Sequence, residues 1–352
     1  MSPKSSPLRV VQWATGNVGR YAMREVIRHP SLELVGALTY DPAKAGGDAG
    51  ELCGERANGV KVTNDRAAIH ALKADCVLYM PRVIDIEDLL KFVAAGTNVV
   101  SVCMELFDGA RGLSETDRKR LQAECLRTGA SVYGTGSSPG FIGDIFPYAL
   151  LSVQRRVDAV EIEEYGNISQ RDSPGMLFDQ MGFGKPMDKT PVPRMLQVPP
   201  PLDPIARAVG WHIDKWTTST DFAAALETTQ IVAGEVKAGT VGARRMVIVG
   251  QDNGREVLRF TQYMYATEKL DPAWKFGPTG WRVLVKGDAP LDVSLVFPIA
   301  VEDLNNHTPG YTANPAVNAV PFVCAAKAGI LRTADLPPLT PAGPGGHERN
   351  AI

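Results

Sequence analysis

Over the first 150 residues, short apolar runs alternate with segments in which apolar positions recur every three or four residues. Leu8–Ala14, Leu32–Thr39, Asp75–Met80, Asn98–Cys103 and Ser131–Gly134 are the apolar runs. Their lack of strict polar alternation is the pattern of strands covered on both faces. Between them, Asn17–Arg28 places Val18, Ala22 and Val26 on one helical stripe. Asn64–Leu72, Asp85–Ala95 and Ser114–Thr128 read as further helices. Ser114 and Asp117 open the last of these with acceptors for its free N–H groups, and Gly129 closes it. The Gly- and Asp-rich stretch Tyr40–Gly54 reads as a loop. Strands separated by helices in this order predict parallel βαβ units, and hence an α/β domain with a doubly wound parallel sheet over residues 1–154.

The pattern then changes. Val157–Tyr165 alternates apolar and polar positions, as in a strand with one wet face. Thr240–Gly250 and Arg255–Thr267 flank Gln251-Asp252-Asn253-Gly254, a hairpin turn signal, and Trp281–Gly287 and Leu291–Phe297 add two more strands. These predict a second domain over 155–304, of α+β type with a mainly antiparallel sheet. The proline-rich stretch Thr190–Asp203 reads as a loop or arm. Asn314 as cap, Pro315 at the first position and Gly329 at the end frame a helix with a kink expected at Pro321. This helix returns to complete the first domain (305–335), and residues 336–352 form a tail expected to be disordered.

Composition narrows the function. Of 352 residues, 37 are basic and 39 acidic, for a net charge of −2. That balance lacks the basic excess that nucleic-acid binding requires. The five cysteines (Cys53, Cys76, Cys103, Cys125, Cys324) are far apart with no CxxC, so reduced thiols are expected rather than a dithiol or zinc ribbon. The histidines show no HxH or HExxH spacing, and no metal site is expected. The opening MSPKSSPLRV has no apolar core of a secretory signal, and the longest stretch free of charged residues, Leu304–Ala326, carries three prolines and four asparagines. A cytoplasmic protein with no membrane association is therefore expected.

The first strand runs into Ala14-Thr15-Gly16-Asn17-Val18-Gly19, a GxGxxG pattern with Ala at the first glycine. Gly16 allows backbone to approach a pyrophosphate, Gly19 allows the helix to sit close to the sheet, and the helix start supplies open N–H groups. A strand before it and an amphipathic helix after it are the context of a Rossmann-type dinucleotide site. Thr15, Gly16, Asn17, Val18 and Gly19 are thus candidate cofactor residues. Strand two ends at Tyr40-Asp41, and Asp41 lies 22 residues beyond Gly19, where an acid accepts the ribose hydroxyls of NAD. Asp41 also reads as a turn residue before Pro42, with Tyr40 holding the strand end, and Lys44 suits a 2′-phosphate; NAD and NADP both stay open.

Three features resemble the dihydrodipicolinate reductase family: Gly36-Ala37-Leu38 followed by Asp48-Ala49-Gly50-Glu51-Leu52-Cys53-Gly54, and the succession of loops at Gly16–Gly19, Met80-Pro81-Arg82 and Val102–Leu106. The His-His pair and Lys of that family's dicarboxylate site are missing from Glu163-Glu164-Tyr165-Gly166-Asn167-Ile168-Ser169-Gln170-Arg171-Asp172-Ser173-Pro174-Gly175. The chain is more similar to the branch containing 2,4-diaminopentanoate dehydrogenase and the native amine dehydrogenases. Gly134-Thr135-Gly136-Ser137-Ser138-Pro139-Gly140-Phe141, Cys103-Met104-Glu105 and the segment Asn314–Gly329 carry that resemblance. It implies NAD(P)H-dependent reductive amination of a small ketone or aldehyde with ammonia, the reverse oxidative deamination, and a homodimer with the site between the domains.

On this reading Glu105, just past strand four and among apolar residues, is the catalytic acid/base; a capping or ion-pair role is the alternative. Ligands of an open parallel sheet lie beyond the carboxyl ends of its strands. Met80, Pro81, Arg82, Cys103 and Met104 fall there as cofactor candidates, with Arg82 also readable as a surface ion pair. Ser137 and Ser138 suit the nicotinamide amide or a helix cap, and Asn318 lies one turn beyond Asn314, facing the site. Phe141, Ile145, Phe146, Tyr165, Met176, Phe178 and Phe183 are candidate walls of a ketone pocket, though such residues more often form plain core. The rival readings are a reductase of another imine or carbonyl compound, and a non-catalytic dinucleotide-binding protein.

Overall fold

The computed structural model describes residues 6–189 and 202–343. The chain divides into two compact units, Met1–Phe141 with Pro309–Ile352, and Ile142–Thr308.

In the first unit, β1 (Leu8–Trp13), β2 (Leu32–Leu38), β3 (Val62–Thr63), β4 (Cys76–Tyr79), β5 (Asn98–Ser101) and β6 (Ser131–Gly134) pair in parallel with the strand Gly329–Leu331. The order is Gly329–Leu331, β6, β5, β4, β1, β2, β3. The chain moves outward from β1 in one direction and then from β4 in the other, so the sheet is doubly wound with its switch between those two strands. One face packs Val10, Leu34, Cys76 and Val100 against Ala22, Met23 and Val26 of the helix Asn17–Arg28 and against Ala316, Val320 and Val323 of the helix Leu304–Ala325. The other face packs Val11, Val77 and Val99 against Leu89 and Val93 of Ile86–Ala94 and Leu121 and Cys125 of Glu115–Thr128. Apolar coverage on both sides explains why these strands read as continuous hydrophobic runs.

Two expectations need correction here. The last helix starts at Leu304, ten residues before the expected cap Asn314, and takes Pro309, Pro315 and Pro321 into its body. The tail is not structureless throughout: Leu336 and Leu339 pack on the first core. Its end (344–352), and all but the last two residues of the proline-rich stretch, lie outside the described residues.

The second unit is built on β7 (Val157–Asn167), β8 (Lys215–Ala225), a small ribbon of β9 (Thr229–Ile231) and β10 (Gly234–Val236), then β11 (Val241–Asp252), β12 (Arg255–Tyr265), β13 (Leu270–Asp271), β14 (Gly280–Gly287) and β15 (Leu291–Val296). The main sheet runs β13, β8, β11, β12, β7, β14, β15. It is antiparallel except at its centre, where β7 and β12 are parallel, with Glu164 opposite Gln262 and Tyr165 opposite Tyr263. The predicted hairpin is present. Asn253 and Gly254 both take positive φ, 51° and 75°, as a tight turn of the type favoured by Asn-Gly demands.

The tightest backbone contact lies where β1 meets its helix. A Cβ on Gly19 would sit 2.0 Å from the Ala14 carbonyl oxygen. Ala14 itself is left-handed, with φ 79°. It is held there by its N–H on the Leu38 carbonyl (3.1 Å) and by the buried Gln12 amide on its own carbonyl (3.0 Å). Gly19→Ala is therefore expected to cost about 3 kcal/mol through overpacking, lowering the urea midpoint. Ala14→Gly relieves a strain of roughly 1–2 kcal/mol while adding about 0.5–1 kcal/mol of chain entropy, so its midpoint should stay level or rise.

Candidate active site

The loops after β1, β2, β4, β5 and β6 all leave the same, carboxyl, edge of the first sheet, because the strands are parallel. With neighbouring strands about 4.8 Å apart, the ends of β2 and β5 are separated by roughly 15 Å across β1 and β4.

At the β1 end, Gly16 is exposed and a Cβ there would touch nothing within 4 Å. The helix Asn17–Arg28 begins with no side-chain cap and no acid in its first turn. Its leading N–H groups and partial positive charge thus face an open cradle. Thr15 is buried, and its carbonyl accepts a hydrogen bond from Lys44 Nζ at 3.4 Å. Asp41 caps its own turn, accepting the Ala43 N–H at 3.0 Å, and stands 3.9 Å from Lys44.

Tyr40 is 51% exposed, and its hydroxyl accepts a hydrogen bond from the Trp13 indole at 2.9 Å. Behind it lies a cluster that sequence reading missed. Arg66 lies 5.6 Å over the Tyr40 ring and ion-pairs with Asp85 (3.0 Å) and Asp88 (2.6 Å). His70 packs on Trp13 and Phe92, with Nε2 3.6 Å from Asp88. No motif signals this cluster; only the folding of β1, β2 and β4 brings its members together.

Beyond β4, the Met80 N–H is bonded to the Trp13 carbonyl at 3.0 Å, Pro81 is buried, and Arg82 is exposed. The Cys103 thiol points at the Pro81 carbonyl (3.3 Å), and burial pushes its pKa up to about 12, aided by the charge of Glu105. Cys103 is thus a neutral, buried thiol.

Glu105 sits in the short turn Met104–Leu106, half-buried and next to the buried Leu106 and Phe107. Two features fix its backbone. The Gly112 N–H donates to the Glu105 carbonyl at 3.1 Å, and a Cβ on Gly112 would be 2.5 Å from the Glu105 Cα. Next, Asp108, Gly109 and Ala110 are three successive left-handed residues (φ 55°, 75°, 58°). The Asp108 carboxylate lies 3.7 Å from Arg111 and 3.9 Å from Arg332, which secures this costly turn.

After β6, the Ser137 hydroxyl is bonded to that of Thr312 at 2.8 Å, which ties the loop to the last helix. Ser138 is half-buried beside it. The Thr135 hydroxyl is buried without a hydrogen-bond partner among the described residues. Asn318 is half-buried on the last helix, between the buried Val317 and Ala319. Phe141 closes a wide turn onto the Gly136 carbonyl (2.8 Å).

The remaining candidates belong to the second unit. Ile145 and Phe146 are half-buried. Tyr165 stacks on Tyr263 (5.2 Å) and donates to Glu163 at 3.0 Å. Met176 and Phe178 pack with Leu177, Met181 and the fully buried Phe183 in a local core. Among the described residues, no three potential ligands converge as a metal site, and no helix is long and apolar enough to cross a membrane.

No family model matches the chain. It is 30% identical over 357 residues to the amine dehydrogenase of Streptomyces virginiae, covering 95% of this chain and 97% of that protein. The chain belongs to the amine dehydrogenase family. The solved structure of the amine dehydrogenase from Mycobacterium smegmatis is similar at TM-score 0.77 and 21% identity, over 95% and 97% of the two chains. Scyllo-inositol dehydrogenase from Lactobacillus casei, solved with NAD(H) and scyllo-inositol, shares the fold at TM-score 0.53 and 14% identity, over 90% and 89%.

The His70 environment gives a stability prediction. Burial holds its pKa below the ordinary value, against the opposing pull of Asp88. The unfolded chain then binds the proton more readily, so stability is lost as pH falls below about 6.5 toward the folded value. Urea unfolding at about pH 7.5 and about pH 5.5 should show this loss, and His70→Phe, which keeps a ring on Trp13 and Phe92, should flatten it.

Proposed function

We propose that this chain is an NAD(P)H-dependent amine dehydrogenase, aminating a small ketone or aldehyde with ammonia and running the reverse oxidative deamination. The carrying observation is Glu105, a half-buried carboxylate among apolar neighbours at the carboxyl edge of a doubly wound sheet, in a chain of the amine dehydrogenase family. The residues at that edge fit a dinucleotide. Gly16 leaves room for a pyrophosphate, the uncapped helix start offers N–H donors, and the buried Thr135 hydroxyl lacks a partner.

When bound, the nicotinamide ring supplies the hydride. The protein's part is electrostatic and positional. Ammonium brings a positive charge to a carboxylate that apolar walls have partly stripped of water. Glu105 takes its proton, freeing ammonia to add to the carbonyl carbon. Loss of water then leaves a cationic iminium, and the carboxylate that took the proton can return it to the departing oxygen. A carboxylate about 4 Å from the iminium favours it by about 4 kcal/mol at an effective dielectric of 20. Thr15, Gly16, Asn17, Val18 and Gly19 bind the phosphates in this reading, Tyr40, Asp41 and Lys44 the adenosine end, and Ser137, Ser138 and Asn318 the nicotinamide end. The homodimer belongs to the same reading, and analytical ultracentrifugation tests it.

Glu105→Gln keeps shape and removes charge. It should lower kcat for ammonium-dependent NAD(P)H oxidation roughly 100- to 10,000-fold while cofactor affinity, read by fluorescence titration, stays within about twofold. Gly112→Ala should lower kcat in the same direction by displacing the Glu105 backbone. Wild-type-like turnover of Glu105→Gln, or carbonyl reduction by the wild type that ignores ammonium, overturns the assignment in favour of a simple carbonyl reductase.

A further inference from the structure

The strand Gly329–Leu331 is the last to join the first sheet, and the residue directly after it touches the loop that carries Glu105. Arg332 Nε lies 3.9 Å from Asp108 Oδ1. The same side chain runs along Gly109, where a Cβ would be 3.1 Å from Nε and 3.4 Å from Cγ. Arg332 is itself held in place. Its N–H donates to the Asp335 carboxylate at 2.8 Å, and the neighbouring Thr333 hydroxyl is bonded to that of Tyr133 on β6 at 2.9 Å. Before it, the Ile330 N–H donates to the Gln122 side chain at 2.8 Å.

The loop also rests on β6. Phe107 bridges to Gly134, where a Cβ would be 2.3 Å from the Leu106 carbonyl. Asp108, next in the chain, is 8% exposed and left-handed, as are Gly109 and Ala110. Left-handed backbone is unfavourable for residues with a side chain, and such a run persists only where its surroundings impose it. Those surroundings include two guanidinium groups on one buried carboxylate, Arg111 at 3.7 Å and Arg332 at 3.9 Å. At these distances the attraction is between charges, and burial of the acid limits its screening by solvent and salt. The run lies inside a loop closed by the Gly112 N–H on the Glu105 carbonyl at 3.1 Å. A shift of Asp108 therefore moves Glu105 as well.

We infer that Asp108 and Arg332 are positioning residues for Glu105: the chain end, acting by charge on the loop, sets where the catalytic carboxylate stands. The catalytic half rests on the reductive-amination reading; the brace itself does not. A misplaced acid slows the proton transfers and leaves the cofactor cradle at Gly16, on a different loop, as it was.

The test uses the full chain. Asp108→Asn keeps the shape and the tolerance of left-handed backbone while removing the charge. Arg332→Gln removes the partner at an exposed position, and carries the comparison where Asp108→Asn lowers the thermal transition. Ammonium-dependent NADH or NADPH oxidation is followed with the most active of a short series of aliphatic ketones. Its kcat should fall about 10- to 100-fold in Asp108→Asn and about 3- to 10-fold in Arg332→Gln, with Arg332→Lys recovering most of the loss. Ketone KM and cofactor affinity, read by fluorescence titration, should stay within about twofold, and the double variant should be no slower than Asp108→Asn. Deuterium exchange of peptides spanning 105–113 should quicken about threefold or more in each single variant. Wild-type kcat in both variants, additive losses in the double variant, or a loss shared by cofactor affinity overturns the positioning role. Unchanged exchange overturns the brace, whatever the reaction. A wild type without ammonium-dependent turnover overturns the catalytic half together with the proposed reaction, and exchange alone then decides the brace.

Discussion

The approach of Gly19 to the Ala14 carbonyl governs the first unit. It brings the helix Asn17–Arg28 down onto the sheet and forces the chain through a left-handed residue at Ala14. That turn exposes Gly16 and leaves the first N–H groups of the helix open. It also sets Trp13 at the end of β1, where its carbonyl takes the Met80 N–H and its indole holds Tyr40. Three loops are thus referenced to one close contact. A side chain on Gly19 would have to be absorbed by backbone on both sides of the contact, since neither partner is a flexible tip.

The two units use carboxylates differently. Glu105 stands on a backbone stiffened by the left-handed run Asp108–Ala110 and braced by Gly112. Conformational strain there is the cost of aiming one acid. Glu164 instead sits in a regular strand opposite Gln262, whose amide donates to it and accepts from Arg244.

Much of the first unit was legible because its strands are covered on both faces, and such strands announce themselves as apolar runs. Asn17–Arg28 and Ser131–Gly134 match the observed elements residue for residue. The start of the last helix was not legible: Asn314-Pro315 reads as a cap and first helical position, yet the helix begins ten residues earlier and packing of Ala313, Ala316 and Val320 carries it through Pro315. β8 was missed because its first half, Lys215-Trp216-Thr217-Thr218-Ser219, is too polar to signal a strand. The parallel pairing of β7 with β12 comes from chain routing, which periodicity does not encode. For the site, the position of Glu105 after a strand was readable. The Arg66–Asp88–His70 and Glu164–Gln262–Arg244 groupings were not: in the first, two residues one helical turn apart meet an acid from another helix, and in the second three separate strands meet through sheet register.

The strand Gly329–Leu331 completes the edge of a sheet whose other strands are all made within the first 134 residues. During synthesis, the ribosome must therefore deliver the whole intervening unit before the first sheet acquires its last strand and before Ala316, Val320 and Val323 cover its core. Until then the β6 edge stays unpaired and the part of one face that the last helix covers stays open. The nascent first unit thus leaves the exit tunnel first yet is completed last, with an open strand edge exposed in the interval.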